Sequence, residues 1–122
     1  MSGQEVTLER SFLDRMSAGL GEEGPGLVLE IVDLVLTDTP DRIRELARCL
    51  DTGDLAGAGA IAHSLIGRCG LVGAHRLTAL CRRLEQDALA GHASPEAVRE
   101  VIVSEFDRLA VALRELRPSF EP

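Results

Sequence analysis

The chain has 122 residues, a formal net charge of −7 and a hydrophobic content of 45%. This length predicts a single domain over residues 1–122 and leaves too little chain for two ordinary domains. The acidic balance argues against nucleic acid as a partner, because binding to a phosphate backbone requires a basic surface. It argues equally against an anionic membrane surface.

Aromatic residues make up only 2% of the chain, with no Trp and no Tyr, so aliphatic side chains must fill the interior. This composition favours helix-on-helix packing over a β-sheet, in which β-branched and aromatic residues are enriched. We therefore expect an all-α fold. The 13 basic residues are all arginine.

The cysteines Cys49, Cys69 and Cys81 are odd in number, and the chain starts without a basic-then-apolar leader. We expect neither a disulfide framework nor secretion. The longest apolar stretch, residues 27–36, contains Glu30 and Asp33 and is unsuited to spanning a bilayer. Together these features predict a cytoplasmic protein that makes no membrane contact.

The first predicted helix covers Val6 to about Ala18 and ends at the segment 19–26, which is rich in glycine. An apolar stretch follows over 27–36, and its helical pattern resumes after Thr39-Pro40 and continues to Leu50. Pro40 either kinks one long helix or begins a second helix capped by Thr39. The sequence leaves both possibilities open.

Three more helices are predicted in the second half of the chain. Asp54 is a candidate N-cap for a helix that runs to about Cys69, before Gly70 and Gly73. The next helix covers 74–89, and the last runs from Ser94-Pro95-Glu96 to Pro118. Long amphipathic helices with short loops predict an antiparallel up-and-down four-helix bundle, with an additional short N-terminal helix.

His63 is predicted to face solvent on the helix that starts at Asp54. A rotation of about 100° per residue places the apolar positions roughly opposite or beside it, on the inward side. These positions are Ala58, Ile61, Ala62, Leu65, Cys69 and, if the helix extends so far, Val72. A lone histidine on a helix is usually an ordinary surface residue, so its neighbours decide the interpretation.

The neighbours of His63 on the exposed face are unusually small. Those within about 60° of it are Ala56, Gly59, Ala60, Gly67 and Gly70. Each glycine costs a helix about 1 kcal/mol relative to alanine, so the helix gives up stability to keep this face bare. A bare face permits close approach of a phosphoryl group and of the protein that delivers it. An imidazole with an ordinary pKa of about 6.5 is largely neutral in the cell and is a nucleophile through a ring nitrogen.

The charge pattern favours the same chemistry. Residues 55–84 contain four arginines and no acidic residue, so this stretch carries +4 in a chain of net charge −7. Local positive charge favours a phosphoryl group, which carries roughly −2 near neutral pH. It also favours an acidic site on a partner protein.

A longer pattern combines the region of His63 with the following helix. It comprises Ala62-His63-Ser64-Leu65-Ile66-Gly67, Gly73-Ala74, Leu77, Leu80-Cys81-Arg82-Arg83-Leu84-Glu85, Ala88 and Gly91. These residues closely resemble the signature of the histidine-containing phosphotransfer (Hpt) family. The stretch 27–36, Thr39-Pro40, Leu50 and Gly53-Asp54 look like the family's second helix and its turn. The resemblance extends over roughly Phe12 to Leu116 and places the core of the domain at about residues 12–117.

The resemblance implies a phosphoryl carrier rather than an enzyme with its own turnover. His63 matches the family's phosphoryl acceptor, which exchanges phosphate with a receiver-domain aspartate or accepts it from a kinase, and Gly67 matches the small residue that leaves room for it. The implied partners are receiver domains of response regulators and hybrid histidine kinases. We expect a monomer with no cofactor and no metal.

Ile66 departs from the family pattern, which usually has Lys three residues after the histidine. Arg82 and Arg83 on the next helix are candidates to supply the missing charge, whereas Arg68 points about 140° away from His63. Ile66 equally suits an apolar docking surface. That predicted surface consists of Ala56, Gly59, Ala60, Ile66 and Gly70.

Three alternatives are weaker. The first, kept open by Ile66, is an Hpt-like module that binds and regulates a receiver or kinase without carrying phosphate. The second is metal binding, but the chain's histidines (His63, His75, His92) and Cys69 and Cys81 match no usual zinc spacing. The third is an acyl-carrier-like protein, which requires Asp before a modified serine at a helix start, whereas Ser64 follows a histidine within a helix.

Overall fold

The structure is a computed structural model that describes residues 6–122, so the first five residues of the predicted domain lie outside the described part. Four uninterrupted helices are α1 (Arg10–Gly19), α2 (Gly24–Asp51), α3 (Leu55–Val72) and α4 (His75–Leu89). The last helix, α5, joins an α-helical turn (Pro95–Ala97), a π-helical segment (Val98–Ile102) and an α-helix (Val103–Leu116). Short 3₁₀ turns cover Gly21–Glu23 and Arg117–Phe120.

No strand occurs within residues 6–122, which confirms the all-α prediction. Helices α2 to α5 form the antiparallel four-helix bundle, and α1 packs against α2 as the additional N-terminal helix. Helix α3 packs against both α2 and α4. By length and composition alone α3 is also apolar enough to cross a membrane, a property that core helices of soluble proteins share.

Helix α2 settles the question about Pro40, which lies inside one continuous helix of 28 residues. Thr39 is therefore not a cap, and its side chain is buried. The prediction that 24–26 lie outside a helix was wrong, because α2 begins at Gly24 with Pro25 in its first turn. Gly24 is required there because a Cβ would overlap the backbone of Ser17 in α1.

Helix α3 begins as predicted, since the Gly57 N–H donates to Oδ1 of Asp54 over 2.9 Å. It continues past Gly70 to Val72, three residues beyond the predicted end, and stops at Gly73. Gly73 has φ +74°, the left-handed conformation that ends many helices. Only Gly73 and Ala74 then separate α3 from α4, and this short turn fixes the two helices side by side.

Helix α1 starts four residues later than predicted because the chain before it is bound to the α3–α4 turn. The Glu9 N–H donates to the Gly73 carbonyl over 3.0 Å, and the Arg76 N–H donates to the Val6 carbonyl over 2.8 Å. His75 Nε2 lies 2.6 Å from Glu9 Oε1. These contacts hold the N-terminal segment against the end of the α3–α4 pair.

The π-helical segment of α5 was not predicted. It lies where we expected a regular helix, and it keeps Val98 and Ile102 in the core. In the α-helix that follows, Glu105 is buried, and the Arg108 Nη1 donates to it over 3.2 Å. Helix α5 thus closes the bundle on the side away from α3.

Candidate functional site: an exposed histidine on a bare helix face

His63 lies in the middle of α3 and points away from the bundle, with 76% of its side chain exposed. The predicted inward positions Ala58, Ala62, Leu65, Cys69 and Val72 are buried. Ile61 is half-buried and packs against the same core. The orientation of His63 therefore follows from the apolar pattern of α3.

Glu85 of α4 is the direct partner of His63. Its Oε2 lies 3.0 Å from Nδ1 of the imidazole, and its side chain is only 27% exposed. Sequence reasoning included Glu85 in the family pattern but did not predict it as a site residue. Glu85 could have been predicted from the antiparallel pairing of α3 and α4 about the turn at Gly73, because this pairing brings positions 63 and 85 to the same level.

The contact with Glu85 assigns the two ring nitrogens. An ionised carboxylate only accepts hydrogen bonds, so Nδ1 of His63 carries the proton and donates it. In the neutral ring, Nε2 then holds the free electron pair. The exposed edge of the imidazole is therefore the nucleophilic one.

Most of the predicted docking surface is exposed. Of its five residues, Ala56, Ala60 and Gly70 are exposed, as is Gly67, which was predicted beside the phosphoryl group. Apart from the adjoining backbone of α3, no atom lies within 4 Å of the position that a Cβ would occupy at Gly67 or Gly70. Gly59 differs, because it is buried, although it too has open space where a Cβ would stand. The surface beside His63 is bare, as the small side chains require.

Ile66 is half-buried and packs against the hydrophobic core, rather than standing free beside His63. It follows His63 by one helical turn, and on antiparallel α4 Arg82 precedes Glu85 by one turn. Ile66 and Arg82 therefore lie at the same level of the α3–α4 pair. Arg82 is exposed and within about 60° of Glu85 around α4.

The other arginines point elsewhere. Arg83 lines a cavity of about 200 Å³ between α4 and α5, with Leu84 and Ile102 among its walls. Arg68 lies against α2, where its Nε is 2.9 Å from Oδ2 of Asp38 without the alignment of a hydrogen bond. Of the two arginines predicted near His63, only Arg82 lies on the same face of α4 as Glu85.

The predicted positive surface around His63 needs a correction. The run without acidic residues ends at position 84, and Glu85 directly after it supplies the charge in contact with the imidazole. Sequence counting missed this because folding brings together residues that are 22 positions apart. The charge nearest to His63 is therefore negative.

Leu89 was not among the site residues predicted from the sequence. It is the last residue of α4 and follows Glu85 by four positions, so it lies one turn further along the same face. Its side chain is 82% exposed, more than any other large hydrophobic residue among those described. Leu89 therefore adds an exposed apolar side chain to the face of α4 that carries Glu85.

The remaining histidines and cysteines do not join this site. His75 binds Glu9 at the α3–α4 turn, and His92 is exposed beyond the end of α4. Cys69 and Cys81 are buried free thiols, and the hydrogen bond between them, with burial, raises the pKa of Cys81. Among residues 6–122, no group of three or more His, Cys, Asp or Glu side chains is arranged to hold a metal ion.

Comparison with known proteins gives one family and one solved structure. The sequence profile of the Hpt domain matches residues 30–117. The fold is similar to the crystal structure of histidine-containing phosphotransfer protein B (HptB) from Pseudomonas aeruginosa PAO1, with 25% sequence identity and a TM-score of 0.81. The similarity covers 94% of this chain and 97% of that one. No curated protein matches the sequence.

Proposed function

Because the chain belongs to the Hpt domain family, we propose that it carries phosphoryl groups in a two-component phosphorelay on the Nε2 atom of His63. The observation that carries this assignment is the position of His63, which is exposed on a bare helix face and holds its Nδ1 proton against Glu85. The chain is a carrier in this proposal and has no turnover of its own. No cofactor takes part.

The transfer step needs few groups from this chain. The Nε2 electron pair attacks the phosphorus of a receiver-domain phospho-aspartate, the P–O bond breaks, and the aspartate leaves as a carboxylate. The ring keeps its Nδ1 proton and gains positive charge as the N–P bond forms. Glu85 stabilises that charge from 3.0 Å, as a carboxylate does behind a catalytic histidine. Passing the phosphoryl group to a second receiver reverses the same steps.

Two residues are proposed to accommodate the phosphoryl oxygens. Gly67 lies one turn after His63, and its missing side chain leaves open space beside the ring. Arg82 is the nearest candidate for the positive charge that Ile66 lacks, because it lies on the face of α4 that carries Glu85. Arg83 is a poor candidate because it lines the cavity toward α5.

The partner is proposed to be a receiver domain that docks on the face around His63. Ala56, Ala60 and Gly70 offer it a flat surface, while Leu89 offers an exposed apolar anchor. Hybrid histidine kinases carry receiver domains and are included in this class. A cytoplasmic location is part of the proposal, since receiver domains operate there.

A second candidate function is docking without phosphate transfer. The position of Ile66 favours it, because a half-buried isoleucine supports an apolar interface and donates no hydrogen bond to phosphate. The exposed imidazole with an assigned nucleophilic nitrogen favours transfer instead. Both candidates use the same face of α3.

The experiment that separates them mixes the protein with a receiver domain whose aspartate carries labelled phosphate. We expect an acid-labile label to move to this chain and to be lost in His63→Gln. His92→Gln is the matched control, because His92 is also an exposed histidine, and it should accept label normally. Tight receiver binding without any label transfer would establish the docking function and refute the carrier.

A further inference from the structure

We propose that Glu85 makes the phosphohistidine of this protein short-lived, by keeping the phosphorylated imidazole protonated at Nδ1. This inference rests on the proposed function of His63. Its consequence is that phosphate is held briefly and given up readily. The protein then passes phosphoryl groups on quickly and does not store them.

The geometry supports a fixed contact between the carboxylate and the ring. Glu85 is mostly buried beside α3, whereas His63 is mostly exposed, so the carboxylate has less freedom than the ring that it holds. The distance of 3.0 Å from Oε2 to Nδ1 is that of a hydrogen bond. Phosphorylation at Nε2 takes place on the opposite edge of the ring and leaves this contact in place.

The charges around the pair do not cancel the effect of Glu85. Among residues 6–122, the only ion pair of Glu85 is the one with His63. From α2, Asp38 pairs with Arg42 of its own helix and with Arg68 on the neighbouring side of α3. On α4, Arg82 lies one turn before Glu85 and is proposed to act on the phosphoryl oxygens. The carboxylate charge therefore acts mainly on the Nδ1 proton.

The rate at which the N–P bond breaks depends on whether the departing imidazole is protonated at Nδ1. When Nδ1 is protonated, cleavage of the N–P bond returns its electron pair to Nε2 and releases a neutral imidazole, which is a good leaving group. Water attacking the phosphorus then yields inorganic phosphate and the same neutral imidazole, with its proton still on Nδ1. When Nδ1 has lost its proton, the leaving group is an imidazolate anion, and cleavage is slow. A carboxylate at Nδ1 preserves the labile form to higher pH.

The test compares the wild-type protein with Glu85→Gln, whose amide oxygen still accepts the Nδ1 hydrogen bond but carries no charge. Both proteins are loaded chemically with excess phosphoramidate, so that loading does not depend on a partner, and phosphohistidine is followed between pH 6 and 9. An ion pair at an exposed site shifts a protonation midpoint by roughly half a pH unit. We therefore expect nearly equal decay at pH 6 and about threefold faster decay of the wild type at pH 9.

Asp87→Asn is the matched control, since it removes one negative charge from α4 on a side turned away from Glu85. Its decay profile should coincide with that of the wild type. Coincident profiles for wild type and Glu85→Gln, or slower decay of the wild type at pH 9, would overturn the inference and leave the carrier function intact. If phosphoramidate loads neither the wild type nor Glu85→Gln on His63, the proposed function itself fails.

Discussion

Nδ1 of His63 and Oε2 of Glu85 lie 3.0 Å apart, so the middle of α3 is joined to α4 directly behind the exposed edge of the imidazole. The two residues are separated by 22 positions, and the tight turn at Gly73 and Ala74 brings them together. The contact fixes both the orientation of the ring and the location of its proton.

Arg82 and Arg83 are adjacent in sequence but point to different sides of α4, and this difference predicts different effects on phosphotransfer. One charged contact at an exposed site contributes about 1 kcal/mol or less. We expect Arg82→Gln to slow transfer from a phosphorylated receiver by up to about fivefold, and Arg83→Gln to leave it unchanged. Rapid-quench kinetics with both variants measures the effect. Equal rates in the two variants would remove Arg82 from the site.

Leu89 is expected to contribute to receiver binding through its exposed side chain. Replacing it by Glu removes an apolar anchor and adds a charge, which should weaken binding roughly tenfold. Val111→Glu is the matched control, because Val111 is 54% exposed on α5, across the bundle from α3. Titration calorimetry with a cognate receiver compares the two. Weaker binding by Val111→Glu than by Leu89→Glu would place the docking surface elsewhere.

Gly67 is expected to lower the stability of the protein while leaving space for the phosphoryl group beside His63. A Cβ at this position meets no atom within 4 Å, so Gly67→Ala should raise the free energy of unfolding by about 0.5–1 kcal/mol. Gly67→Leu should also fold, but its side chain occupies the space beside the ring and should slow transfer by roughly tenfold or more. Urea unfolding and transfer kinetics measure the two effects separately. Unimpaired transfer by Gly67→Leu would show that this space is not used.

The contact between the N-terminal segment and the α3–α4 turn predicts a response to acid. Hydrogen bonds from His75, Ser11 and Arg15 lower the pKa of Glu9 from 4.5 to about 2. Because the folded-state pKa is the lower one, the stabilisation is complete above pH 4.5 and disappears as the pH falls toward 2. Glu9→Gln should therefore flatten the loss of stability in this window, measured by urea unfolding at successive pH values. Parallel curves for the two proteins would contradict this role of Glu9.

Much of the fold could be predicted because local signals determine it. Asp54 caps α3 as its sequence position indicates, and the apolar pattern of α3 places His63 outside the bundle. Pro40 could not be interpreted from sequence, because only the packing of α2 decides whether a proline is tolerated within a helix. The late start of α1 has a similar origin, since residues 6–9 bind a turn that is distant in sequence.

In the candidate site, too, some features follow from local sequence signals and others depend on packing between helices. His63 and its small neighbours lie on one helix, so their common face follows from helical geometry alone. Glu85 and Leu89 lie on another helix, and their relation to His63 depends on how α3 and α4 pair. Summing charges along the chain suggested a positive surface because the sum stopped one residue before Glu85.

The most direct test of the central claim locates the phosphoryl group on the folded protein. After transfer from a phosphorylated receiver, a long-range ¹H–¹⁵N correlation spectrum of the imidazoles distinguishes the two ring nitrogens of each histidine. We expect phosphate on Nε2 of His63 alone, with Nδ1 still protonated beside Glu85. Phosphate on Nδ1, on another residue, or nowhere on the chain would contradict the assignment.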